Sequence, residues 1–182
     1  MKKITDCLKR IGRLLGKPSK TFEEVYDENI STSILYFLVI ILILTVIMLV
    51  LGAVFIKMFL SPFFEKVPWL KWISLPILLV FIPVFGFVAT AIASFILHIF
   101  VLLFKGKEGF KQTFKTVIYA STPSVLSFWF PPLFVVGLVW SIILACKGLM
   151  KLQKLKTLYA VLAVLLPIII ILVIGLLLRF VH

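Results

Sequence analysis

The sequence is poor in acid. Seven Asp and Glu stand among 182 residues against 19 Lys and Arg, and none of the seven falls in a long apolar run. A carrier coupled to protons or cations keeps a carboxylate at membrane depth, and an aspartyl protease needs two together. The chain has neither. Its histidines and cysteines, His98, His182, Cys7 and Cys146, are few and scattered. They make no disulfide framework, and no H-E-x-x-H or paired C-x-x-C gathers metal ligands. No G-x-S-x-G surrounds a serine, and Ser94 and His98 lie one turn apart on a single stretch, where a nucleophile and its base cannot meet. The G-K-E-G at 106–109 lacks the G-K-[ST] ending of a phosphate loop. These absences leave no catalytic residue, no metal site and no cofactor to assign.

Hydrocarbon is what the chain has. Hydrophobic residues make up 63% and charged residues 14%, with mean hydropathy +1.23. Soluble domains run at about 45–50% apolar and about 25% charged. A core this small cannot hide the excess, so the solvent for most of the chain is lipid. The net charge of +12 points to an anionic membrane surface and not to nucleic acid, because the basic residues flank apolar runs. Met1-Lys2-Lys3 looks like a signal-peptide start. The first apolar run begins only near Ser33 and is too long for one, so the N-terminus is expected to be retained.

Residues 1–32 read as a cytoplasmic basic segment. Ile4, Leu8, Ile11 and Leu15 recur at helical steps among Lys3, Lys9, Arg10, Arg13 and Lys17. That is an amphipathic helix for an anionic leaflet, or one packing on the protein's own loops. Cys7 is a candidate for palmitoylation or a bystander thiol. Thr21 to Glu24 has the spacing of a capping box, predicting a helix start there.

Five spans are expected, at about 33–56, 73–104, 113–130, 133–146 and 158–178. The connection Lys57–Lys71 mixes Phe63, Phe64, Trp69 and Trp72 with lysines and suits the headgroup level. The second span is long, with Pro76 and Pro83 expected to kink or tilt it. It carries Gly86, Thr90, Ser94 and His98 on one face, and the small and hydroxylated residues suit close helix approach. His98, ionisable and inside a span, is a functional candidate, or a neutral imidazole bonded to a hydroxyl or carbonyl. The third span is short and polar, with Lys115, Tyr119, Ser121 and Thr122 before Pro123. It is expected to sit inside the bundle, broken or tilted at that proline. The fourth has a small-residue stripe, Gly137, Ser141 and Ala145; the fifth carries Pro167.

Basic residues set the orientation. With the N-terminus inside, five crossings place fifteen Lys and Arg in the cytoplasm and four outside; the predicted location is the cell membrane, N-terminus cytoplasmic and C-terminus outside.

The stretch Lys105–Pro123 and its sequel resemble the Yip family, membrane proteins named for interacting with Ypt/Rab GTPases. The residues that carry the resemblance are Gly106, Gly109, Phe110-Lys111-Gln112-Thr113-Phe114, Tyr119-Ala120 and Pro123. Gly137, Trp140, Gly148-Leu149, Ala160 and Pro167 follow, so it covers roughly Ile73 to Leu178. The resemblance implies five helices and a cytoplasmic N-terminus. Eukaryotic members act in vesicle trafficking, binding small GTPases and one another. This chain departs from them in its short basic N-terminal region and in lacking a D-L-Y-G-P motif. It is similar to the prokaryotic branch, where no Rab cycle is available, and GTPase binding is not carried over. The family supplies no catalytic residues.

The reading is thus an all-α polytopic membrane protein, a five-helix transmembrane bundle over 33–182, acting as a non-enzymatic scaffold or adaptor. Lys9, Arg10, Arg13, Lys105, Lys107, Lys111, Lys115, Lys151 and Lys154 are candidates for binding anionic lipid headgroups or an acidic partner. Partners expected are membrane lipids, another membrane or cytoplasmic protein, or a second copy of the chain. One alternative is a small channel or carrier with a path past His98 and Tyr119, lined by Thr90, Ser94, Ser121 and Thr122. The other is a lipid-handling or membrane-shaping protein.

Overall fold

The computed structural model describes residues 2–55 and 68–181. These form eight helices and short turns: α1 (Lys2–Gly16), α2 (Pro18–Tyr26), α3 (Ile30–Phe55), α4 (Pro68–Leu103), α5 (Gly109–Ala120), α6 (Thr122–Ser127), α7 (Pro131–Leu152) and α8 (Thr157–Val181). Four are long and apolar enough to cross a membrane, over Ile30–Leu51, Leu79–Leu103, Pro131–Leu152 and Thr157–Arg179. In hydrocarbon a helix is the form that satisfies every backbone group within one segment. α4 runs unbroken through Pro76 and Pro83 for 36 residues. Apart from its helical end, the Lys57–Lys71 connection lies outside the described residues.

Where the sequence predicts one broken third span, the structure has α5 and α6, joined at Ser121. Pro123 has no N–H to donate to Tyr119. Helical bonding continues on both sides, Ser121 N to Val117 O and Val125 N to Ser121 O, each 2.9 Å. The pair runs antiparallel to α7. Ser124 N donates to Ser141 Oγ (3.2 Å) near one end, and Gln153 Nε2 donates to Thr113 Oγ1 (2.9 Å) at the other. α5 is the hub of the bundle. Thr113 to Thr116 and Ile118 to Ala120 are all buried, against α3, α4 and α7.

α2 begins three residues before Thr21, because Pro18 occupies its first turn with φ already set for a helix. The Thr21 hydroxyl turns back onto the Lys17 carbonyl (3.1 Å), so the predicted capping box is not formed. The N-terminal helices are not set apart from the bundle. Cys7, Leu14, Phe22 and Val25 share one apolar cluster with Tyr36, Phe37, Phe114 and Tyr119. α1 docks by one edge of its apolar stripe: Cys7 and Leu14 go in, while Leu8 and Leu15 stay exposed. A buried Cys7, its thiol pKa raised first by that burial, is a poor acylation site.

A second cluster joins α4, α7 and α8 through Leu97, Val101, Leu149, Ala160 and Ala163. Beyond buried Pro167, α8 is exposed on every side from Ile168 to Arg179. So much open apolar surface on α4, α7 and α8 is stable only where the surroundings are themselves apolar.

Candidate functional site

Three turns meet at one end of the bundle, those after α2, α4 and α7. Tyr26 and Glu108 supply one clasp. The Tyr26 hydroxyl donates to Glu108 Oε2 (2.7 Å) and accepts from Lys154 Nζ (2.9 Å). Lys154 also pairs with Glu108 Oε1 at 2.7 Å. Lys154 and Tyr26 hold the Glu108 carboxyl below the usual carboxylate range, and the same contacts push Lys154 above an ordinary lysine. The turn into α5 needs Gly109, whose φ of 75° few side chains tolerate.

Gln153 stitches the last turn to α5. Its amide nitrogen donates to Gly109 O (2.7 Å) and Thr113 Oγ1, and its oxygen accepts from Glu108 N (3.1 Å). The Thr113 hydroxyl also meets His98 Nδ1 at 2.9 Å. The His98 ring stands edge-on to Phe110 at 5.4 Å.

On the other side of α5 a guanidinium closes the structure. Arg10 grips both oxygens of Glu28, at 2.7 and 2.9 Å, and donates to the Tyr119 hydroxyl at 2.8 Å. Tyr119 in turn donates to Glu28 Oε2 (3.1 Å). A bidentate pair of this kind fixes geometry as well as charge. Burial depresses the Arg10 pKa, but the Glu28 carboxylate and Tyr119 outweigh it and raise the group above an ordinary arginine. Tyr36 meets Thr122 at 3.2 Å just beyond.

Lys115 is the densest point of this end. It is fully buried, and its ammonium donates to three carbonyls, Val25 (2.8 Å), Tyr26 (2.9 Å) and Glu28. Val25 and Tyr26 close α2 and Glu28 lies just beyond it; the Val25 carbonyl also accepts from Glu28 N at 3.3 Å. Three N–H donors on one cation meet three carbonyls, at the end where the helix dipole is negative. Gln112 Nε2 adds a bond to the Tyr26 carbonyl (3.1 Å).

The candidate basic residues therefore divide. Lys9, Lys105, Lys107 and Lys111 are exposed and in no ion pair among the described residues. Arg13 pairs with Glu24 (2.9 Å), and Lys151 with Glu23, both near the surface. Lys115 and Arg10 are structural. Lys115 is not a surface cation at all.

The intramembrane polar residues also separate. Thr113, which holds His98, and Tyr119 are six positions apart on α5, so they point about 120° away from each other. Ser94 bonds back to the Thr90 carbonyl (2.7 Å) and Ser121 to the Ile118 carbonyl (3.0 Å), within their own helices. Among the small residues, Gly137 faces Pro123 and Ser127 of α6, and Gly86 faces Ile41 of α3.

Sequence reasoning did not single out Tyr26 or Gln153, gave Glu28 no partner, and named Gln112 and Thr113 only as carriers of the family resemblance. One signal was present: Gln112 and Gln153 are the only glutamines in the chain, and both serve this network.

Comparisons with characterised proteins and with solved structures returned no match. The Yip1 domain family model matches residues 12–178, from within α1 to the last turns of α8. The chain belongs to the Yip1 domain family, and is an integral, multi-pass membrane protein.

Proposed function

We propose that this Yip1 domain protein is a non-enzymatic membrane scaffold or adaptor, with its basic end in the cytoplasm. One observation supports the reading above others. The N-terminal helices are built into the bundle by Arg10, Glu28, Tyr119 and Lys115, and so hold Lys9 and Arg13 at the same end as Lys105, Lys107 and Lys111. A preformed cationic surface binds an acidic partner without an ordering cost. The surplus of basic residues at that end supports a cytoplasmic side for it, and with five crossings the C-terminus is outside. A reporter active only in the cytoplasm is expected to be silent when fused after His182. Activity there would mean that α5 and α6 do not cross.

The adaptor reading is tested by capture. A photocrosslinker at Lys107 in native membranes is expected to trap a reproducible protein partner, identified by mass spectrometry. Each basic residue near an anionic surface contributes about 1 kcal/mol, so Lys9→Gln, Lys105→Gln and Lys111→Gln together should weaken capture by about two orders of magnitude at low salt. Lys115 is left intact in that variant because it supports the fold. Capture of lipid alone, or capture insensitive to the three substitutions, would reject the adaptor role.

A further inference from the structure

At the end of the bundle remote from Glu108 and Lys154, a crevice of about 380 Å3 lies between α3, α4 and the turn from α6 to α7. Its floor is Phe37 and Ile41, both buried. Its mouth is framed by two aromatic pairs. Phe81 and Phe85 stack on α4 (5.5 Å, 12°), and Phe128 meets Phe134 edge to face across the turn (5.4 Å, 86°). Phe81, Phe85 and Phe128 are 57%, 61% and 56% exposed, so the mouth opens outward, not into the bundle. Two hydroxyls reach the wall, Thr90 and Ser124, and Ser124 commits its proton to the Ser121 carbonyl at 2.9 Å. The rest of the lining is hydrocarbon. A bound water needs two to four polar partners, and this lining does not provide them.

Apart from Ser124, Val125 and Phe128, the walls belong to helices apolar enough to cross a membrane, Ile30–Leu51, Leu79–Leu103 and Pro131–Leu152. The medium outside the mouth is therefore lipid tail. The volume falls within the roughly 300–1,000 Å3 of ordinary ligand pockets. We propose that the crevice is a binding site for one acyl chain of a phospholipid, drawn from the leaflet remote from the basic end. The chain lies between α3 and α4, not merely along an outer face. Close approach of those helices makes the floor: a Cβ on Gly86 would stand 2.8 Å from Ile41 Cδ1. The site requires that the protein sit in a bilayer. It does not require the adaptor reading, and either can fail without the other.

The test uses the full chain in phosphatidylcholine nanodiscs, doped with a phosphatidylcholine carrying a diazirine midway along one acyl chain. Adducts are mapped after irradiation in three proteins: wild type, Ala89→Trp and Ile171→Trp. Ala89 lies on the crevice wall but is exposed, so a tryptophan there fills the mouth without entering the buried core. Ile171 is 61% exposed on α8 and has no part in the lining. Wild type should concentrate label within residues 81–90 and 124–134, saturably and in competition with unlabelled lipid. Ala89→Trp should lower that label about tenfold, equivalent to about 1.4 kcal/mol of binding, with Ile171→Trp unchanged. Label spread evenly over the exposed faces of α4, α7 and α8 would mean ordinary surrounding lipid and would overturn the site. So would label insensitive to Ala89→Trp, or a crosslinker at position 89 that captures residues 56–67 or a second copy in place of lipid.

Discussion

Lys115→Met should release the N-terminal helices from the bundle. Methionine keeps the length of the side chain but supplies no donor, so the carbonyls of Val25, Tyr26 and Glu28 lose the ammonium that ends α2. A buried acceptor left unpaired costs about 1–3 kcal/mol. Val25 O keeps Glu28 N (3.3 Å) and Tyr26 O keeps Gln112 Nε2 (3.1 Å), so the Glu28 carbonyl is the one left unpaired and the loss is about 1–3 kcal/mol. That is a large share of a domain's net stability. Undocking rehydrates the carbonyls, so the loss should appear as local opening before global unfolding. Trypsin cleavage after Lys20 reads it directly, and should accelerate by about fivefold or more, with cleavage elsewhere little changed. Lys111→Met, at an exposed position four residues away, is the control and should cleave as wild type. Lys115→Arg should not rescue, because a planar fork cannot aim at three converging acceptors as an ammonium does. Equal cleavage rates in Lys115→Met and wild type would show that the ammonium is dispensable.

The second large effect is set by one methyl group placed in two helices. Gly137 is buried where α7 crosses α6, and a Cβ there would overlap Ser127 Oγ and stand 2.8 Å from the Pro123 carbonyl. The second contact is backbone, which cannot swing away as a side-chain tip can. Gly137→Ala must therefore force α6 and α7 apart, at a cost of about 1–3 kcal/mol. Gly175 lies within α8 with nothing inside 4 Å of the same Cβ. Gly175→Ala should be neutral or stabilise by up to about 1 kcal/mol, from backbone entropy alone. Melting of the purified proteins in one detergent checks the pair. Equal shifts in both would mean that the α6–α7 contact is loose enough to yield.

Much of the bundle was legible because lipid as solvent reduces the question to composition. α3, α7 and α8 each declare themselves as runs without acid. Detail was lost wherever a residue type has two uses. Thr21 reads as an N-cap, yet a threonine inside a helix can turn its hydroxyl to the carbonyl four residues back, and Pro18 had already started α2. Lys115 reads as one more cation in a basic loop, because charge is visible in composition and burial is not. Its acceptors lie about ninety positions upstream. Which edge of α1 meets the bundle was not legible for a related reason. Hydrophobicity favours Leu8 and Leu15, but the Arg10–Glu28 pair draws in Cys7 and Leu14 instead. Local periodicity carries no information about a partner supplied from α5.

The Lys115 clamp also bears on how the protein is made. Synthesis delivers α1 and α2 first, but the groups that hold them arrive late. Lys115 bonds the Val25 carbonyl 90 residues upstream, and Lys151 pairs with Glu23 128 residues upstream. Phe22 must also wait for Gly148, against which its ring lies. Until α5 and α7 are inserted, the first two helices have only the Arg10–Glu28 pair and the start of α3 to pack on. They settle only when α5 and α7 are both in place. A segment made before the central helices is thus fixed after them, and its docking marks a bundle whose central helices have been correctly assembled.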